Sequence, residues 1–238
     1  MRQIPLAIAP PSVMGFDSLV EGPNAQAVQH LRALALSAPP VYLWGPPGSG
    51  KTHLLRALAE RRQAMGETVA WFGGADAFPW AFDAAWSLVV IDNFESLDAA
   101  HQQAAFTLFI EAGSHGIQFA AAGRLPPVDL PVREDLSSRL GWGHVFALQA
   151  LTEEQTRAVL RREADRRGIF LSDEVMAYLL THHQRDLKHL MQTLDRLDEF
   201  ALAEHRSVTV PLLKKMQAEN PAVALTEIPT EPALAGGP

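Results

Sequence analysis

Short apolar runs and longer amphipathic segments alternate through the first two thirds of the chain. Mostly apolar runs of four or five positions predict buried strands at 41–44, 68–72, 88–92, 118–122 and 145–148. Helical spacing of apolar residues predicts helices at 25–37, 51–65 and 99–113, with Gly66 and Gly113 at the ends of the last two. This alternation predicts an α/β fold with a five-stranded parallel sheet covered by helices on both faces.

The pattern changes after Leu151, where strand signals become scarce. Thr152 and Gln155 are spaced for a capping box on a helix that ends at Gly168, and Ser172 is placed to cap the next helix. An apolar stripe predicts a longer third helix, and it comprises Leu187, Leu190, Leu194, Leu197 and Ala201. A β-like segment at 207–210 and a last helix at 212–218 follow. We therefore predict an all-helical second module.

These patterns divide the chain into four parts. We predict a flexible N-terminal peptide at 1–14, an α/β domain at 15–150, a helical domain at 151–218 and a disordered, proline-rich tail at 219–238. We expect no helix-turn-helix DNA-binding domain in so short a tail.

Composition narrows the class of protein. A chain of 238 residues with 47% hydrophobic content can bury one good core and a smaller satellite core. The absence of cysteine excludes a disulfide scaffold, a thiolate metal site and a cysteine nucleophile. A formal net charge of −7 argues against a large nonspecific DNA-binding surface, so contact with DNA is expected only through a partner. Without a signal peptide or a membrane span in the sequence, we expect a cytoplasmic protein.

A glycine-rich run stands between the first predicted strand and the helix behind it. It fits a phosphate-binding P-loop and consists of Gly45, Pro46, Pro47, Gly48, Ser49, Gly50, Lys51 and Thr52. Glycines let successive backbone N–H groups and the helix N-terminus point at phosphate oxygens. Lys51 would reach the terminal phosphates, Thr52 would ligate Mg²⁺, and His53 follows in the same turn. The alternative is a glycine-rich turn that arose by chance, and such a turn would need neither the strand before it nor the helix behind it.

A second nucleotide signal is the buried run at 88–92, which ends in Asp92 and is followed by Asn93. Strand ends form the ligand crevice of such a sheet, so Asp92 is expected to hold Mg²⁺ as a Walker B acid does. The alternative is an ordinary turn in which both residues serve turn chemistry. Many ATPases place a glutamate at the position of Asn93, and an amide cannot act as a base.

Arg139 precedes a Gly-Trp-Gly turn at 141–143. An arginine at a subunit rim can present its planar fork to the γ-phosphate of a neighbouring molecule. Spacing alone favours another interpretation, a surface arginine that pairs with Glu134 or Asp135.

These residues together resemble the AAA+ ATPases and, within them, the DnaA-related Hda family. The resemblance covers residues 15–218 and is carried by the segments 15–17, 22–24, 45–52, 91–93, 138–143 and 185–187. It implies an AAA+ core followed by a helical lid, with bound ADP or ATP and Mg²⁺. It also implies that Arg185 contacts the nucleotide phosphates as a sensor II residue, and that Arg139 acts in trans as an arginine finger on the initiator DnaA. The alternative for Arg185 is an ordinary surface arginine at a helix start.

The N-terminus is similar to peptides that dock into the bacterial sliding clamp. Gln3 would fill a polar subsite, Ile4, Leu6 and Ile8 would enter an apolar groove, and Pro5 would keep the backbone extended. The peptide lacks a terminal aromatic residue, and a plain disordered tail is the alternative.

Two departures from active AAA+ ATPases predict slow intrinsic hydrolysis. Asn93 stands at the position of the catalytic base, and the fourth strand ends in alanine and glycine where a polar sensor I residue is usual. The resemblance therefore implies a negative regulator of replication initiation that is recruited by the DNA-loaded clamp. The alternatives are an autonomous AAA+ ATPase of helicase-loader or transposition-associated type, a small-molecule P-loop kinase, and a non-enzymatic adaptor. Self-association into a homo-oligomer stays open.

Overall fold

The computed structural model describes residues 15–16, 19–35, 38–182, 187–204 and 206–219. They belong to two compact units that divide after Leu151. Each unit has its own hydrophobic core.

The first unit is built on a parallel sheet. Its described strands are β1 (Val41–Trp44), β2 (Val69–Phe72), β3 (Leu88–Ile91), β4 (Gln118–Gly123) and β5 (His144–Ala147). They lie in the order β2-β3-β4-β1-β5, and every neighbouring pair is parallel. The predicted five-stranded parallel sheet is confirmed. Because β4 lies between β3 and β1, the carboxyl ends of these three strands meet at one edge.

Helices cover both faces of this sheet. They are α1 (Ala25–Ala33), α2 (Lys51–Ala64), α3 (Ala99–Ser114) and α4 (Glu134–Leu140). Side chains alternate along each strand, so Tyr42 packs in the core that holds α3 and α4, whereas Leu43 packs in the core that holds α1 and α2. The two helix pairs therefore lie on opposite faces.

The second unit, which we call the lid, contains four helices and no strand among its described residues. It comprises α5 (Glu153–Arg166), α6 (Asp173–His182), α7 (Leu187–Glu204) and α8 (Val210–Glu219). The capping box of Thr152 and Gln155 forms as predicted, Gly168 follows α5 with φ of 72°, and the Ser172 hydroxyl accepts the Val175 N–H. In the apolar stripe of α7, Leu190, Leu194, Leu197 and Ala201 are buried in the lid core, and the partly buried Leu187 packs against it.

The predicted β segment at 207–210 is wrong. Residues 206–209 form no strand, and α8 begins at Val210. The Thr209 hydroxyl accepts the Leu212 N–H at 3.4 Å, and its carbonyl accepts the Leu213 N–H at 3.0 Å. Thr209 thus acts as an N-cap, which converts a β-branched run into a helix start.

Two helix predictions also need correction, and a further helix was missed. Gly113 lies inside α3, and Gly116 takes the positive φ, 68°, after that helix ends. The described part of α1 ends at Ala33 because Leu34 leaves helical geometry, with its carbonyl accepting Arg62 Nη2 at 2.6 Å. The seven-residue helix α4 was not predicted at all.

Leu194 and Leu202 provide a matched test of the lid core. Leu194 is fully buried in α7, whereas Leu202 on the same helix is 55% exposed. We expect Leu194→Ala to lower the free energy of unfolding of the lid by about 2–5 kcal/mol. Leu202→Ala should change it by less than about 0.5 kcal/mol.

Urea denaturation followed by far-UV circular dichroism measures both changes. Tryptophan fluorescence isolates the first unit, since all tryptophans precede Leu151, at Trp44, Trp71, Trp80, Trp86 and Trp142. Equal costs for the two variants would contradict the assignment of the lid core.

Candidate functional site

The P-loop connects β1 to α2 at the edge where the strand ends meet. Gly48 and Gly50 have φ of 75° and 93°, values that a side chain would strain. Gly50 is the N-cap of α2 and contributes no side-chain cap to its first turn. A long helix that begins in this way presents backbone N–H groups and the positive end of its dipole to an anion.

Lys51 places its ammonium inside this loop. The Nζ atom donates to the carbonyl oxygens of Gly45 and Pro46, both at 2.8 Å, and to Ser49 Oγ at 3.4 Å. The residue is only 8% exposed, so its charge lies in a largely water-excluded place. Such a charge attracts phosphate more strongly than one in bulk water.

Thr52 and Asp92 meet across the end of β4. Thr52 Oγ1 donates to Asp92 Oδ2 at 2.7 Å, and Asp92 is almost entirely buried. A hydroxyl beside a carboxylate supplies hard oxygen ligands, and Mg²⁺ usually takes only one or two protein ligands besides phosphate and water. The pair therefore fits Mg²⁺. His53 lies partly buried in the same turn of α2.

Asn93 turns the chain after β3. Its φ of 54° and ψ of 55° are left-handed, a conformation that asparagine tolerates better than most residues. Its backbone N–H donates to Asp92 Oδ1 at 2.9 Å, and its side chain is exposed. The turn alternative thus accounts for Asn93, whereas the contact of Asp92 with Thr52 fits the predicted role of Asp92 as a metal-binding acid.

Sequence reasoning missed the part played by Asn24. This buried side chain donates to the Gln149 carbonyl at 2.9 Å and accepts the Gln149 N–H at 2.8 Å. Its Nδ2 also approaches the Ser49 carbonyl at 3.5 Å. Asn24 therefore ties the start of α1 to the segment after β5 and to the P-loop. Its place in the segment 22–24 was the only sequence signal.

A network at the end of β4 was also missed. A Cβ on Gly123 would overlap the Tyr42 hydroxyl and lie 3.1 Å from Glu95 Oε2. The Tyr42 hydroxyl donates to the Leu125 carbonyl at 2.9 Å, and burial together with Glu95 raises the pKa of Tyr42. Glu95 accepts the Arg124 backbone N–H and pairs with Arg124 Nε, both at 3.1 Å. At Gly123, where a sensor side chain is usual, Tyr42 and Glu95 thus leave little room for a side chain.

Arg139 lies in the last turn of α4, among aromatic rings. Its guanidinium carbon is 5.0 Å from the ring centroids of both Phe106 and Trp142. Within the described ranges it has no carboxylate at ion-pair distance, and Asp135 pairs instead with Arg133 at 2.6 Å. The surface salt bridge that spacing favoured is therefore not formed.

Some predicted site residues lie outside the described residues. They are the nucleotide-contacting candidate Arg185 and the clamp-binding candidates Gln3, Ile4, Leu6 and Ile8. Their roles stay predictions.

Comparison with known proteins identifies the family. Residues 153–216 match the family model described as the Hda lid domain. The chain is also 31% identical over 232 residues to an uncharacterized protein of Haemophilus influenzae, an alignment that covers 90% of this chain and 98% of that protein. The chain belongs to the Hda family of DnaA-related AAA+ proteins. The resemblance inferred from the sequence segments is thereby confirmed.

Solved structures of low sequence identity share the Hda-family fold. Domain III of Thermotoga maritima DnaA superposes with a TM-score of 0.71 at 18% identity, over 89% of this chain and 98% of that one. AMPPCP-bound DnaA from Aquifex aeolicus superposes with a TM-score of 0.66 at 18% identity, over 90% of this chain and 71% of that one. The Thermotoga maritima RuvB Holliday junction branch migration motor superposes with a TM-score of 0.63 at 16% identity, over 87% of this chain and 72% of that one. The AAA+ core followed by a helical lid is confirmed.

None of the helices in the part of the chain that the structure describes combines the length and the apolar character that crossing a membrane requires.

Gly123 allows a test of the crowded sensor position. We expect Gly123→Ala to lower the free energy of unfolding by about 1–3 kcal/mol, because the new methyl group would overlap the Tyr42 hydroxyl. In a Tyr42→Phe background this cost should shrink by at least about 0.5 kcal/mol, a coupling that a double-mutant cycle measures by urea denaturation.

Gly113→Ala is the matched control. Gly113 is helical, and beyond its chain neighbours and its own helix backbone no described atom lies within 4 Å of an added Cβ, so this substitution should stabilise the protein by about 0.5–1 kcal/mol. Equal costs of Gly123→Ala in both backgrounds would contradict the network.

Proposed function

We propose that this Hda-family protein is a negative regulator of chromosomal replication initiation. In this proposal the DNA-loaded sliding clamp recruits it, and its Arg139 then completes the active site of ATP-bound DnaA. Hydrolysis converts DnaA to its ADP form. The protein itself holds ADP or ATP, with Mg²⁺ at Thr52 and Asp92, chiefly as a structural ligand.

Nucleotide binding is supported by the donor set at the sheet edge. The P-loop combines an uncapped helix start with the enclosed Lys51 ammonium, both of which favour phosphate. Mg²⁺ would supply charge neutralisation between phosphate oxygens when bound.

Slow intrinsic hydrolysis is supported by the residues around that edge. Asn93 serves a left-handed turn and has no basic group, and Gly123 has no side chain to orient water. The nearby Glu95 carboxylate is already paired with Arg124. These residues suit a protein that retains its nucleotide.

The placement of Arg139 is the observation that carries the proposal. Its aromatic neighbours belong to α3 and to the segment after α4, and Phe109 lies in the core on that face of the sheet. Helix α2, which begins with Lys51, packs in the core of the opposite face. An arginine so placed is suited to the nucleotide of another molecule rather than its own.

The alternatives receive less support. An autonomous AAA+ ATPase needs a base and a water-positioning side chain, and the likeness to the RuvB motor extends to the fold alone. A small-molecule kinase needs arginines available to substrate phosphates. Two arginines of α5 are paired within the lid instead, Arg161 with Asp173 and Arg166 with Glu163, both at 2.6 Å.

Arg139→Ala tests the arginine finger. We expect this variant to bind nucleotide and clamp normally while the hydrolysis of DnaA-bound ATP falls to the rate of DnaA alone, because fingers contribute about 10³–10⁵-fold in rate. Arg139→Lys should also fail, since an ammonium lacks the planar fork. Hydrolysis of radiolabelled ATP preloaded on DnaA gives the rate.

Arg133→Ala is the matched control for this test. Arg133 is an exposed arginine beside the same helix, but Asp135 and Gln103 already hold it. We expect this variant to stimulate normally. If Arg139→Ala stimulates the hydrolysis of DnaA-bound ATP normally, Arg139 is not an arginine finger.

Substitution of Gln3 and Leu6 by alanine tests recruitment. Losing one polar and one apolar anchor should weaken binding to immobilised clamp at least about tenfold by surface plasmon resonance. Ser12→Ala, outside the predicted clamp-binding residues 3–8, should bind as the unmodified protein does. An unchanged clamp affinity in the double variant would show that the N-terminal peptide does not bind the clamp through these residues.

A further inference from the structure

Three aromatic rings surround the Arg139 guanidinium. Its carbon lies 5.0 Å from the centroids of Phe106 and Trp142 and 5.9 Å from that of Phe109. Distances of this size bring a cation under the attraction of the negative ring faces. Phe106 and Phe109 come from α3, whereas Trp142 follows α4, so two parts of the chain define one position for the charge.

Trp142 is held beside Arg139 by the backbone as well as by its ring. Helix α4 ends with the Gly141 N–H donating to the carbonyls of Ser137 and Ser138, and the Trp142 N–H donates to the Arg139 carbonyl at 3.2 Å. The indole nevertheless stays 68% exposed. Burial in the core of this protein therefore does not account for a tryptophan here.

Arg133 and Arg139 differ in the partners of their guanidinium groups. Its guanidinium lies 5.4 Å from the same Phe106 ring, but Asp135 and Gln103 also bind it. A carboxylate partner neutralises a guanidinium and occupies its fork. Aromatic faces restrict its position while leaving its charge and its N–H donors available to a phosphate.

We propose that Phe106 and Trp142 are positioning residues that form an aromatic holder for Arg139. The inference rests on the proposed function, and it specifies how the arginine reaches the partner's triphosphate in a fixed geometry. Restricting a long, flexible side chain before association removes part of the ordering entropy that the transition state would otherwise require. The holder therefore acts on the rate of hydrolysis more than on the affinity for DnaA.

Trp142 variants test the holder because the side chain is exposed and its loss should leave the fold intact. The stimulated hydrolysis of DnaA-bound ATP is measured against the concentration of each variant, with loaded clamp present. We expect Trp142→Ala to lower the maximal rate about threefold to thirtyfold, with a half-maximal concentration within about twofold of the unmodified protein. Trp142→Leu should be as slow as the alanine variant, while Trp142→Phe should restore most of the rate.

Val128→Ala is the matched control, since Val128 is an apolar residue of the same unit that is 88% exposed. It should leave both parameters unchanged. A Trp142→Ala variant with an unchanged maximal rate would overturn the holder, whether or not the half-maximal concentration rises. A Trp142→Phe variant no faster than Trp142→Leu would overturn it too.

A second measurement needs no partner and separates this inference from the proposed function. In ¹⁵N NMR spectra of the full chain, the Arg139 side-chain Nε–H signal, assigned by its loss in Arg139→Lys, should be ordered and shifted by ring currents. The shift should diminish in Trp142→Ala. The unmodified protein could fail to stimulate DnaA while the Arg139 signal shows the ring-current shift that diminishes in Trp142→Ala. That result would contradict the proposed function and support the aromatic holder. An unshifted, mobile signal would overturn the holder.

Discussion

The hydrogen bond from Thr52 to Asp92 links residues that lie forty positions apart and sets the geometry of the sheet edge where phosphate binding is proposed. It forms because β4 inserts between β3 and β1, so that the acid after one strand and the P-loop after the other face each other across the end of a third. The small side chains of β4, Ala120 to Ala122, are fully buried there between the two cores. Strand order thus determines which residues lie together at this edge.

The same strand order separates two chemical tasks. Helix α2 carries Lys51, the proposed phosphate ligand, on one face of the sheet, and α3 with α4 presents Arg139 on the other. Around the edge itself, a left-handed Asn93 and a Gly123 crowded by Tyr42 occupy the positions where a hydrolytic enzyme needs a base and a sensor. An enclosed candidate phosphate site and an arginine that pairs with no carboxylate of the described residues fit the proposal that the protein acts on a neighbour's nucleotide.

Local patterns predicted the strands, the capping box and the P-loop, because each depends on residues close together in the chain. Features that depend on distant residues could not be predicted in this way. The crowding of Gly123 comes from Tyr42, whose hydroxyl bonds a carbonyl 83 positions later. Thr209 became a cap where β-branched neighbours predicted a strand, and α4 is too short for its apolar spacing to be distinctive. The aromatic surroundings of Arg139 likewise require α3 to pack beside α4.

We propose that this protein activates hydrolysis in another molecule. The rate at which DnaA-bound ATP is hydrolysed when the unmodified protein is added, with and without DNA-loaded clamp, decides the matter. We expect acceleration that requires both the protein and the loaded clamp, while the protein alone turns over ATP slowly. Rapid ATP turnover by the protein alone, with no effect on DnaA, would show that the proposal is wrong.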